Sequence, residues 1–148
     1  MLLRNLIQEG FGEKEDYNCA EKILHGANQA YNMGLNEQTL RLSAGFGGGM
    51  GLGSVCGTLT AAIMVLGALF VEKSAHESKR IKKLTQELLT NFHKEMGHMN
   101  CSQLKAKYRT DKEKCLQVLL KTAEILDRIV VREMSATRQP QASACGSK

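Results

Sequence analysis

Leu3, Leu6, Ile7 and Phe11 fall on one stripe of an otherwise polar stretch, the period of a short amphipathic helix over residues 2–11 that stops near Gly12. A second helix is expected from Asn18. Asn18 can cap it, Glu21 completes a capping box, and Ala20, Ile23, Leu24, Ala27 and Tyr31 keep the period until Gly34. A third, over residues 36–44, runs into Gly45-Phe46-Gly47-Gly48-Gly49-Met50-Gly51-Leu52-Gly53, a glycine density that predicts a tight loop. With Ser54 as cap, Val55 to Phe70 then reads as a helix. The 17 uncharged residues from Val55 to Val71 touch the bottom of the transmembrane range. Their glycines and threonines favour a buried central helix against which neighbours pack closely.

Further on, Ile81, Leu84, Leu88, Phe92 and Met96 describe an amphipathic surface helix over residues 76–96, ended by Gly97. A short helix from Asn100 and a long one from Asp111 to Met134 complete the pattern, the latter with Leu116, Leu119, Ala123, Leu126 and Val130 facing inward. The expected fold is all-α: a compact helical bundle with a buried central helix preceded by a glycine-rich loop. Residues 1–134 form one helical domain in this reading, and residues 135–148 a disordered polar tail.

Composition agrees with helix and narrows the function. One proline and 148 residues fit a single domain with a core of its own. The formal charge of +5 is modest, and Lys79, Arg80, Lys82 and Lys83 spread around a helix. With no Trp and only seven Phe and Tyr, nucleic acid is not the expected partner. No membrane span is expected, and Met1-Leu2-Leu3-Arg4-Asn5 does not open a secretory signal, so the expected location is cytoplasmic. Thiols there are kept reduced, which makes catalysis, redox sensing or metal binding the commoner use of cysteine.

The cysteines carry the chemistry. Asn18-Cys19-Ala20-Glu21 and Asn100-Cys101-Ser102-Gln103 echo each other, each with Asn as cap and Cys at the first helical position. Cys56 follows its expected cap Ser54 by two residues, and Cys115 follows Asp111 by four. All four thus sit within a turn of a helix start, where unpaired N–H groups stabilise an anion and lower a thiol pKa. Cys145 falls in the tail and is set aside. The four are 37, 45 and 14 positions apart, with no Cys-x-x-Cys, so only the tertiary fold can join them. Four thiolates also suit an iron–sulfur cluster by number, although the spacing matches no ferredoxin pattern. His25 and His98 stand near cysteines in sequence and could supply a proton or a ligand, but His25, His76, His93 and His98 read better as ordinary surface or satisfied histidines.

The glycine loop lacks the Gly-x-Gly-x-x-Gly register, a preceding strand and a following Gly-Lys-Ser/Thr, which argues against phosphate binding. Gly49, Gly51, Gly53 and Gly57 are instead the candidates for cofactor contact, their N–H groups tuning a cysteine or cluster sulfur.

From Asn18 to Ile129 the chain resembles the C_GCAxxG_C_C family of redox-active proteins. The resemblance rests on Tyr17-Asn18-Cys19-Ala20, the Gly45 to Gly53 loop, Cys56-Gly57, Ala62-Ile63-Met64-Val65-Leu66-Gly67, Cys101, and Cys115 followed by Ala123-Glu124-Ile125-Leu126. The Cys-Gly-Ala-x-x-Gly element falls on Cys56-Gly57-Thr58-Leu59-Thr60-Ala61, with Thr58 for Ala and Ala61 for Gly. It implies a helical redox protein with four functional cysteines, and related domains are suspected of holding an iron–sulfur centre.

Three functions follow. The first is thiol-based redox exchange or electron transfer, with Cys56 as nucleophile and Cys101 and Cys115 as resolving pair, Cys19 completing the site. The second is a metal or iron–sulfur protein ligated by Cys19, Cys56, Cys101 and Cys115. The third is a non-catalytic helical interaction module with buried cysteines. The sequence leaves open the redox partner and the oligomeric state, homo-oligomers included.

Overall fold

The computed structural model describes residues 1–137, and within them the chain forms α-helices and no strand. The helices are α1 (Leu3–Gln8), α2 (Cys19–Ala30), α3 (Glu37–Leu40), α4 (Gly57–Phe70), α5 (Lys79–Met96), α6 (Cys101–Tyr108) and α7 (Leu116–Thr137). Residues 138–148, expected as part of a tail and containing Cys145, lie outside the described residues; α7 itself runs beyond Met134.

The central helix is α4, packed against α2, α5 and α7. Leu59, Ala61, Ala62, Val65 and Leu66 are fully buried, and each large apolar side chain so buried contributes roughly 1.5–3 kcal/mol. Small residues at 61 and 62 let α2 approach closely. Around α4 the amphipathic stripes match the sequence pattern: Leu84, Leu88, Phe92 and Met96 of α5, and Leu119, Ala123, Leu126 and Val130 of α7, are all buried. Outside the stripes, α5 and α7 are laced by ion pairs, Arg80 to Glu133 at 2.8 Å and Arg132 to Glu87 at 2.7 Å. Arg80 also covers the Phe70 ring at 4.5 Å, so this member of the basic cluster serves helix packing.

Several helix ends differ from the sequence expectation. Helix α1 stops at Gln8, and α2 gives way after Ala30 to left-handed Asn32 (φ 52°), short of Gly34. The expected helix over 36–44 is α for one turn and 3-10 from Arg41 to Phe46. Helix α5 starts at Lys79, after a separate 3-10 turn at Ala75–Glu77, and ends as expected with Gly97 at φ 84°. The long helix begins at Leu116, five residues later than Asp111. Thr110 and Lys114 exchange backbone hydrogen bonds of 3.2 and 2.8 Å there, and Lys114 is left-handed (φ 56°), which no helix accommodates.

One buried carboxylate ties the two ends of the fold together. Asp127 on α7 accepts the N–H groups of Leu3 and Arg4 at 2.9 Å each, and the Tyr31 hydroxyl at 2.6 Å. Those N–H groups are among the unpaired donors at the start of α1, where a negative charge is most favourable.

Candidate functional site

Each of the four cysteines stands at a helix start, by different local means. Cys19 is the first residue of α2, behind a complete capping box: Asn18 Oδ1 accepts the Glu21 N–H at 2.9 Å, and Glu21 accepts the Asn18 N–H at 2.9 Å. Cys101 opens α6, but Asn100 makes no side-chain cap. That helix start is held by an antiparallel bridge between Val55 and Asn100, in which Cys101 N–H donates to the Ser54 carbonyl at 2.6 Å and Cys56 N–H to the Met99 carbonyl at 2.8 Å. Cys56 is itself the N-cap of α4, so Ser54 is not the cap, and Cys115 immediately precedes α7 in place of lying inside a helix begun at Asp111.

The bridge and the packing of α2 and α7 on α4 bring all four cysteines into the wall of one cavity of about 610 Å³. Within it the cysteines are paired unequally. Cys19 and Cys115 are the two that lie close enough for each to shift the other's titration most strongly. Cys56 lies close enough to Cys19 and to Cys101 for their charges to act on one another. None of His25, His76, His93 and His98 lines the cavity; His25 stacks on Tyr17 with ring centroids 4.2 Å apart.

Electrostatics separates the thiols. The hydrogen bond from Cys19 holds Cys115 down, against the effect of burial; Arg109, whose Nη1 donates to Cys115 Sγ at 3.7 Å, and the charge of Lys105 add to it, and the thiol falls to about 6. The same bond raises Cys19, since its proton is the one being donated, and burial raises it further. Burial likewise raises Cys56, more than the hydroxyl and N–H of Thr58 and the N–H of Leu59 lower it. The anion expected on Cys56 is therefore favoured on Cys115 instead, because Cys56 has no cation beside it to offset desolvation.

The glycine loop is a scaffold. Gly48, Gly49, Met50, Gly51 and Gly53 all take positive φ, and the Ser54 N–H closes the loop on the Gly49 carbonyl at 3.1 Å. A Cβ on Gly49 would meet Ser54 backbone at 2.5 Å and Cys101 Cβ at 2.8 Å; one on Gly57 would meet the Phe46 carbonyl oxygen at 2.7 Å. Beside Gly51 there is open space, and beside Gly53 stands Ser102. The backbone donors acting on the Cys56 sulfur belong to the first turn of α4, not to this loop.

A family model described as "Putative redox-active protein (C_GCAxxG_C_C)" matches residues 17–129. The chain belongs to this family. No curated protein and no solved structure matches it. Membership in the C_GCAxxG_C_C family supports a redox role in general terms, and the matched span contains all four cavity cysteines. The Thr58 hydroxyl lies 3.1 Å from Cys56 Sγ, and Thr122 donates to Thr58 at 2.8 Å.

Among the described residues no three His, Cys, Asp or Glu side chains gather where they could hold a metal ion. The sequence pattern did not point to Arg109, Lys105 or Thr122. A signal for the first two was present: Lys105, Lys107, Arg109, Lys112 and Lys114 crowd the approach to Cys115. No helix among the described residues is long and apolar enough to cross a membrane.

Proposed function

We propose that the protein is a thiol-based redox protein in which Cys115 is the nucleophile and Cys19 the resolving cysteine. What supports this is the setting of Cys115 in the cavity wall: the neighbouring Cys19 thiol, and then Arg109, whose Nη1 donates to Cys115 Sγ at 3.7 Å, favour its thiolate, and Cys19 is the neighbouring thiol that attacks next.

The Cys115 thiolate attacks one sulfur of a disulfide, forming a Cys115 mixed disulfide and breaking the substrate S–S bond. The departing thiolate takes the Cys19 proton. Cys19, now a thiolate, attacks Cys115 Sγ and expels the second half of the substrate, which gains its proton from solvent. The substrate disulfide is reduced by two electrons, and a Cys19–Cys115 disulfide remains. Arg109 acts as a positioning residue that favours the anion on Cys115 in the resting state.

The two single variants separate the roles. With a chromogenic aromatic disulfide, Cys115→Ser loses the fast reaction, by about a hundredfold or more, since the sulfur that attacks first is gone. Cys19→Ser still reacts and then stops at a mixed disulfide on Cys115, visible as a mass adduct. Equal reaction of wild type and Cys115→Ser overturns the assignment. A visible chromophore with stoichiometric iron in protein purified without oxygen would favour the ligand reading over it.

A further inference from the structure

The cavity wall around Cys115 is charged, and the charge has a direction. Lys22 and Glu13 form an ion pair and cancel. What is left on the lining is Lys105, Arg109, Lys112 and Lys114 against Asp16 and Glu113. The four cations lie on one short stretch, from α6 through the turn before α7, in the cavity wall that also holds Cys115. Among the described residues none of the three lysines is in an ion pair, so their field is available to an occupant. A space of about 610 Å³ is of the size that takes a small organic molecule.

We infer that the substrate of this site is the disulfide of a small, carboxylate-bearing thiol, steered to Cys115 by the basic wall formed by Lys105, Arg109, Lys112 and Lys114. This rests on the thiol-exchange reading above and adds to it the class of molecule reduced. The electron balance is the one already written: two electrons leave the Cys19–Cys115 dithiol and cleave the small disulfide into two thiols.

Three disulfides of similar size and different charge test it: 3,3′-dithiodipropionate, bis(2-hydroxyethyl) disulfide and cystamine. Each rate with the whole protein is divided by that of the same disulfide with 2-mercaptoethanol, to remove intrinsic reactivity. The expected order is anionic, neutral, cationic, with about tenfold between the extremes at low salt and most of that lost at 0.5 M salt, where screening is nearly complete. Lys112 is exposed and is not part of the reacting machinery. Lys112→Glu should cut the anionic preference about threefold, and Lys112→Gln by less, both with unchanged circular dichroism. Equal normalised rates for the three probes, or a faster cationic one, overturn the inference while leaving the thiol-exchange reading intact. Failure of Cys115 to react with any of the three overturns both.

Discussion

At the scale of single residues, the account turns on which sulfur is the anion. Cys115 owes its low pKa first to the Cys19 hydrogen bond and then to Arg109 and Lys105, so its reactivity should follow the thiolate fraction. Alkylation of Cys115 by iodoacetamide, followed by peptide mass mapping, is expected to rise with pH through a midpoint at about pH 6. In Arg109→Ala the favourable charge is gone, the folded thiol pKa moves up, and the midpoint of the same curve shifts to higher pH. A midpoint unmoved by that substitution would remove Arg109 from the site. The set of four cysteines was legible from the chain, because thiols at capped helix starts announce a reason to hold negative charge. Their pairing was not. With separations of 37, 45 and 14 positions, only the way α2 and α7 pack on α4 decides that Cys115 meets Cys19 and not Cys101. The sequence argument for Cys56 as nucleophile weighed only the helix start, which favours an anion; burial without a nearby cation opposes it and raises that thiol.

At the scale of elements, local signals succeeded where the chain itself supplies the partner. Asn18 and Glu21 form the expected capping box because both groups lie within one turn. The Asn100 echo has the same Asn-Cys opening, with Gln103 in the place of Glu21, and no cap, since its helix start is taken over by the bridge to Val55. Asp111 looked like a start because Asp-Lys-Glu-Lys favours helix, while the left-handed turn at Lys114 has no marker in composition. The glycine loop separates packing from conformation in a way that can be measured. Gly49→Ala adds a Cβ at 2.5 Å from Ser54 backbone to a residue at φ +63°, whereas Gly51→Ala meets only the conformational penalty at φ +74°. Urea unfolding should show a loss of roughly 2–5 kcal/mol for the first and about 1 kcal/mol for the second. Equal losses would mean that the loop does not pack on Ser54 and Cys101 as described.

At the scale of the whole molecule, the hydrophobic stripes were sufficient to give an all-α fold with α4 at its centre. What they could not give is the long-range polar framework. Asp127 caps α1 across 124 positions, and Thr122 reaches Thr58 across 64, and neither pairing leaves a periodic trace in the sequence. These contacts matter to the site because they fix α7, and with it Cys115, against α1, α2 and α4. The fold's central consequence is therefore one particular cysteine pair. It is tested most directly by treating the reduced protein with one equivalent of diamide, blocking free thiols, and mapping disulfide-linked peptides without reduction. The account predicts a Cys19–Cys115 bond as the first product, with Cys56 and Cys101 recovered as blocked thiols. A first bond between Cys56 and Cys101, or between Cys101 and Cys115, would contradict it.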